Sequence, residues 1–92
     1  MLKLFPTAKF RRDYKRCKRR GLNMQLLEIV LDTLQREEPL DEKYHDHQLS
    51  GKYNKFRECH IQPDWLLIYH ADGDALVLTA SRTGTHSDLL DM

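Results

Sequence analysis

Residues 52–81 read KYNKFRECHIQPDWLLIYHADGDALVLTAS, and three strands can be traced in them. The first spans Lys52–Ile61 and is followed by a turn at Gln62-Pro63-Asp64. Trp65–Tyr69 is apolar at every position, so both of its faces must be covered and it belongs in the centre of a sheet. Ala71-Asp72-Gly73-Asp74 contains the Asp-Gly pair that closes hairpins, and Ala75–Ser81 forms the third strand. Beyond it Thr83-Gly84-Thr85 turns the chain, and Ser87 caps a last helical turn at Asp88–Leu90.

The other half of the chain is helical. Leu2 and Leu4 alternate about Lys3 before Pro6, which predicts a short first strand. Thr7 caps a helix from Ala8 to Arg20, closed by Gly21, with Phe10, Tyr14 and Cys17 as its buried stripe. Asn23 caps a second helix that runs to Glu37 and stops at Pro39; Leu26, Leu27, Val30, Leu31 and Leu34 form its apolar face. The link at Gly21 is short, so the two helices run antiparallel. Asp41–Gly51 is polar and reads as loop. The order β-α-α-β-β-β predicts an α+β fold, a curved antiparallel sheet with two N-terminal helices on one face.

Ninety-two residues make one domain, taken as 1–92, with a thin core. Charged residues are 32% and hydrophobic ones 40%, which excludes a disordered chain. The net charge of +1 conceals an asymmetry. Residues 1–27 hold nine Lys/Arg against one acid, and residues 28–92 hold six against thirteen. Cys17 and Cys59 are far apart and in no CxxC spacing, so no disulfide framework is indicated and a reducing cytoplasm is expected. No run is long enough for a signal sequence or a membrane span.

Eight of those cations fall within residues 9–20. Lys9, Arg11, Arg12, Lys15, Arg16, Arg19 and Arg20 suit the phosphates of RNA or of the ribosome; the plainer alternative is a solvated helix face. A second set concerns catalysis. His47, His60, Asp64, Arg82 and His86 lie within the forty residues that end at His86, at strand ends or in loops. Cleaving RNA through its own 2′-hydroxyl requires a base, an acid and a cation for the phosphorane, which two imidazoles, an orienting carboxylate and an arginine supply. His45 and His70 are read as structural. His45 and His47 could begin a zinc site with Cys59, His60 or His86, but paired CxxC or HxxxH ligands are lacking, so no metal and no cofactor is expected. Trp65, Tyr69, Phe56 and Tyr53 are assigned to the core or the sheet rather than to base stacking.

Three blocks then carry a resemblance. Asp46-His47-Gln48-Leu49-Ser50-Gly51, the run from Arg57 to Tyr69 (RECHIQPDWLLIY), and Arg82-Thr83-Gly84-Thr85-His86 are similar to the YafQ branch of the RelE/ParE toxin superfamily in order and spacing. The resemblance covers essentially the whole chain. It implies a bacterial type II toxin, a ribosome-dependent endoribonuclease that cuts mRNA in the A site of the 70S ribosome. It also implies a ribbon-helix-helix antitoxin, through which the pair reaches operator DNA. Position by position it implies His47 as base, His86 as acid, Asp64 as the group orienting a histidine, Arg82 on the scissile phosphate and His60 in support. A monomeric free toxin is expected, with an antitoxin segment over the helices or the sheet edge and acidic residues against Lys15, Arg16 and Arg19. Relatives carry an aromatic residue near the C-terminus that stacks on a base, where this chain ends Leu89-Leu90-Asp91-Met92. Two other functions compete: a ParE-like poison of gyrase, which has no use for the histidine, aspartate and arginine set, and a simple nucleic-acid-binding domain resting on the basic helix alone.

Overall fold

A computed structural model describes residues 1–90; Asp91 and Met92, the end of the C-terminal stretch read above, lie outside them. The elements are β1 (Lys3–Pro6), α1 (Ala8–Arg19), α2 (Met24–Gln35), β2 (His47–Gln48), β3 (Arg57–Gln62), β4 (Trp65–Asp72) and β5 (Val77–Gly84), with 3₁₀ turns at Glu42–Tyr44 and Gly51–Tyr53. The caps are those expected from the residue types: the Phe10 N–H donates to the Thr7 hydroxyl and the Gln25 N–H to the Asn23 side chain. Gly21, at φ 82°, turns α1 toward α2.

The sheet has the order β1-β5-β4-β3-β2. The apolar run of β4 is its middle strand, buried from Trp65 to Tyr69. Strands β2 through β5 pair antiparallel, but β1 lies parallel to β5, Lys3 beside Val77 and Pro6 beside Ala80. The expected antiparallel sheet is therefore mixed. The cause is the intervening chain: two helices and three strands lie between β1 and β5, so β1 is free to enter at the edge in either sense.

Five local expectations need correction. Asp41–Gly51 is not all loop, since it holds a 3₁₀ turn and the two-residue β2. The strand foreseen from Lys52 begins only at Arg57, leaving Tyr53 in a 3₁₀ turn and Phe56 just before the strand. Strand β5 runs on through Arg82, Thr83 and Gly84 instead of turning at Thr83. The last turn is capped by Thr85, not Ser87: the Asp88 N–H donates to the Thr85 hydroxyl and the Thr85 N–H to the Asp88 carboxylate, both at 3.0 Å. On α1 the buried residues are Phe10, Asp13 and Cys17, while Tyr14 is half-exposed and hydrogen-bonds Glu28.

The two faces of the sheet differ, and the site follows from that difference. Cys59, Ile61, Leu67 and Tyr69 pack with the buried residues of α1 and α2 into the main core. Their neighbours Leu66 and Ile68 point the other way and form a small second cluster with Leu89, Leu49 and Phe56. Among the described residues that second face is covered by these loop and last-turn side chains and not by a helix.

Candidate active site

Strand register assembles the histidines. His47 on β2 pairs with Glu58 on β3, and His60 on β3 pairs with Leu66 on β4. Residues two apart on a strand share a face, so Glu58 and His60 project with Leu66 and Ile68 from the side opposite the helices. The imidazole of His60 is the hub, with ring centroids of His86, His45 and His47 at 5.6, 5.8 and 6.5 Å. Glu58 lies between two of them, 3.6 Å from His47 Nε2 and 3.7 Å from His60 Nε2.

Each outer histidine is fixed through one ring nitrogen. The Nδ1–H of His47 donates to the His45 carbonyl at 2.9 Å, and because a carbonyl only accepts, Nε2 is left with the lone pair in the neutral ring. The Nδ1 of His86 meets Asp64 at 2.7 Å, and the His86 backbone N–H donates to the same carboxylate oxygen at 3.0 Å. Those two contacts, the backbone N–H foremost, hold the Asp64 carboxyl below the usual carboxylate range although it is exposed to solvent.

The loop that carries His47 is braced from beneath. Asp46 accepts from Arg57 Nη2 at 3.0 Å and from the Tyr69 hydroxyl at 2.6 Å. Burial and the nearby carboxylate push the Tyr69 phenol above its ordinary range, so it stays a donor. His45, at φ 48°, ends the preceding 3₁₀ turn and aims its carbonyl at His47.

Arg82 on β5 pairs with Ile68, but its side chain is engaged at the sheet edge. Its Nε–H and Nη2–H donate to Asp13 on α1 at 2.6 and 3.2 Å, and it lines a cleft of about 360 Å³ with Lys9, Arg12, Arg16 and Arg19. Positions 9, 12, 16 and 19 recur at helical spacing and form one stripe of α1. β1 ends opposite Ala80, so the edge of β5 beyond it has no strand partner; buried Asp13 accepts the Thr83 N–H there at 3.1 Å. The predicted cations thus divide: Arg16 and Arg20 are engaged by Asp88, Arg16 also by Asp13, and Arg11 and Lys15 line a separate apolar groove beside Leu4, Pro6 and Phe10.

Three residues in these arrangements were not assigned to the catalytic set from the sequence. Glu58 was legible in principle, because it lies two residues before His60 on a strand. His45 was read as structural, yet its carbonyl and ring both face the cluster. Asp13, the one acid among the cations of α1, had no sequence signal of burial. His70 does match its structural reading, with Nδ1 on the Lys55 carbonyl at 2.8 Å. Cys59 is fully buried on the helix side, opposite His60, which removes it from any histidine metal site; among the described residues no group of three His, Cys, Asp or Glu is placed to hold a metal. No helix among them is long and apolar enough to cross a membrane.

The motif Arg82-Thr83-Gly84-Thr85-His86 now has a physical account at every position. Arg82 meets Asp13, and the Thr83 hydroxyl accepts from the Trp65 indole at 2.9 Å and donates to the Leu66 carbonyl at 2.7 Å. A Cβ on Gly84 would lie 2.7 Å from the Asp88 carboxylate, Thr85 caps the last turn, and His86 meets Asp64. The family model of the bacterial type II toxin–antitoxin toxin YafQ matches residues 2–91. The chain belongs to the YafQ toxin family. It is 33% identical over 84 residues to the mRNA interferase toxin YafQ of Escherichia coli K12, covering 90% of this chain and 89% of that one. A metal-bound toxin from Helicobacter pylori superposes with a TM-score of 0.91 at 40% identity, over 97% of this chain and 99% of that one. YafQ in the E. coli DinJ–YafQ complex superposes with a TM-score of 0.87 at 31% identity, over 97% and 98%. This YafQ-family chain is therefore a toxin of a type II toxin–antitoxin system.

Proposed function

We propose that this toxin is a ribosome-dependent, metal-independent endoribonuclease that cleaves mRNA in the A site, using His47, His60, Asp64, Arg82 and His86. The observation that carries the proposal is the pair of anchored imidazoles on either side of His60, His47 held by a carbonyl and His86 by a carboxylate, each through Nδ1. Both rings keep Nε2 for chemistry. In the proposed reaction the 2′-hydroxyl loses its proton to His47 Nε2 and its oxygen attacks phosphorus. The bond to the 5′-oxygen breaks, and that oxygen takes the proton of a protonated His86 Nε2. The products are a 2′,3′-cyclic phosphate and a 5′-hydroxyl. His60 stands between base and acid, where it steadies charge on the phosphorane.

Arg82 plays a narrower part than a free phosphate clamp. Two of its five N–H donors are taken by Asp13, and the rest remain for phosphate. The stripe of Lys9, Arg12 and Arg19 extends that cationic surface for mRNA or ribosomal RNA. The exposed site explains the proposed need for a ribosome: a loose RNA backbone rarely places its 2′-oxygen in line, and held geometry supplies several kcal/mol of the barrier. We propose that a cognate antitoxin covers the toxin, as DinJ accompanies YafQ in the E. coli complex. Lys15 and Arg19 are the cations available to its acidic residues, since Arg16 already pairs with Asp13 and Asp88.

Cleavage of mRNA by purified toxin, with and without programmed ribosomes and with EDTA present, tests the proposal. Ribosome-dependent, EDTA-resistant cutting that His86→Ala lowers by about 10²–10⁴-fold is expected, the range for losing a general acid. Folded toxin that leaves mRNA intact but blocks gyrase supercoiling would replace this reading with gyrase poisoning.

A further inference from the structure

Packing does little to hold His47: its side chain is 51% exposed, and β2, which carries it, is two residues long. Among the described residues its ring makes one hydrogen bond, from Nδ1–H to the His45 carbonyl. That carbonyl therefore decides the tautomer, because the bond at one ring nitrogen sets which nitrogen carries the proton. Between the two histidines stands Asp46, and its carboxylate is gripped from two strands. Arg57 on β3 donates to Oδ2 through Nε–H at 3.2 Å and Nη2–H at 3.0 Å, while the Tyr69 hydroxyl on β4 donates to Oδ1 at 2.6 Å. Register puts these donors there. Gln48, Arg57 and Tyr69 form one cross-strand row; His47, Glu58 and Ile68 form the next, on the opposite face. Asp46 is thus held on the helix side, and His47, one residue on, projects toward His60. Tyr69 is 2% exposed, so the anchor lies in the main core and not in the loop.

We propose that Asp46 is a positioning residue for cleavage, holding His47 in the tautomer and orientation that present the Nε2 lone pair to the 2′-hydroxyl, an inference that rests on the nuclease reading above. Arg57 and Tyr69 act through it. The carboxylate fixes the middle of the span 45–47. His45 closes the near end, its N–H donating to the Glu42 carbonyl at 3.0 Å and its backbone left-handed at φ 48°. Without the anchor the span pivots about the short β2, the carbonyl leaves Nδ1, and the proton distributes between the two nitrogens. A ring protonated at Nε2 has no lone pair there to accept the substrate proton. The loss falls on the transition state, in which that proton moves, and not on RNA binding, since Asp46 faces away from the histidines.

Two measurements test this, one of them independent of cleavage. Nitrogen-15 magnetic resonance of the imidazoles, at a pH that keeps the rings neutral, should show His47 of the wild type as a single tautomer with Nε2 unprotonated. Asp46→Ala and Tyr69→Phe should each give a mixture. Tyr69→Phe keeps its ring in the core, so it reports on the anchor even if Asp46→Ala loosens the loop. On programmed ribosomes, Asp46→Ala should lower the saturating cleavage rate about 10–10²-fold, as for a displaced catalytic group, and leave the half-saturating toxin concentration unchanged. In a His47→Ala background the same substitution should cost nothing further, whereas a purely structural loss would recur there in full. A tautomer mixture already in the wild type, a single tautomer that both variants retain, or equal rate losses in the two backgrounds would overturn the proposal. A wild type that cuts no mRNA, with the tautomer lost in both variants, would keep Asp46 as the anchor of His47 and sink the nuclease reading. Cleavage by the wild type with the tautomer unaltered in the variants would do the reverse.

Discussion

Replacing Asp13 by alanine should be among the most damaging single changes in this fold. Asp13 is 3% exposed and accepts four hydrogen bonds, from Arg82 Nε at 2.6 Å and Nη2 at 3.2 Å, Arg16 Nη2 at 2.8 Å and the Thr83 N–H at 3.1 Å. Arg82 has a side chain only 14% exposed, so losing its partner strands a charge; breaking such a pair costs about 3–5 kcal/mol. Arg16, at 32% exposure, recovers solvation and adds little. A domain of this size is stable by about 5–15 kcal/mol, so the variant gives up a large share of it. Urea unfolding followed by Trp65 emission is the assay, because the single tryptophan is buried and bonded to Thr83 next to the lesion. Asp13→Asn, which keeps an acceptor but not the charge, should fall between wild type and Asp13→Ala. Asp13→Ala/Arg82→Met, which also removes the stranded charge, should be more stable than Asp13→Ala alone. A midpoint shift worth less than about 1 kcal/mol in Asp13→Ala would refute the reasoning, as would a double variant no better than the single.

The Asp88 carboxyl is held well below the usual carboxylate range, first by Arg20 and then by the Thr85 N–H and Arg16. A depressed carboxylate contributes stability above its unfolded pKa of about 3.9 that disappears as pH falls through the lower folded value; Asp88→Asn should therefore cost stability at pH 7 and flatten the decline below about pH 4 in acid denaturation. Burial pushes the Cys59 thiol up to about 12, so a thiol reagent at pH 8 should leave it unmodified in native protein and label it once urea unfolds the chain, as mass spectrometry would register. Gly84→Ala should lower stability by about 1–3 kcal/mol and disturb the Asp88 cap, seen as a reduced thermal midpoint, since the new Cβ would meet backbone-anchored Asp88 rather than a flexible tip.

Much of the architecture is legible because the strongest signals are local. The unbroken apolar run from Trp65 to Tyr69 demanded a central strand, and the Thr7 and Asn23 caps marked helix starts to the residue. Pairing between distant segments left weaker traces. Nothing in Lys3–Pro6 states that it runs parallel to β5, and the two-residue β2 is too short for an alternation to be recognised. Strand β5 extends past Ser81 because its outer edge is satisfied by a helix side chain, Asp13, which no strand pattern records. The candidate site divides along the same line. His47, His60, Asp64 and His86 were placed by chemistry and motif, and the fold gathers them through one face of β3 and the turn before the C-terminus. Arg82 belongs to the same motif as His86 but is bonded to α1, so the motif serves two purposes at once. Arg82 and Thr83 lock β5 to α1 and to β4, and that lock fixes where Thr85 and His86 emerge. A substitution in this segment would therefore lower activity by two routes. In the proposed mechanism, loss of His86 removes a proton carrier from a folded protein, whereas loss of Arg82 loosens the support on which His86 stands, and only the second should also lower the unfolding midpoint.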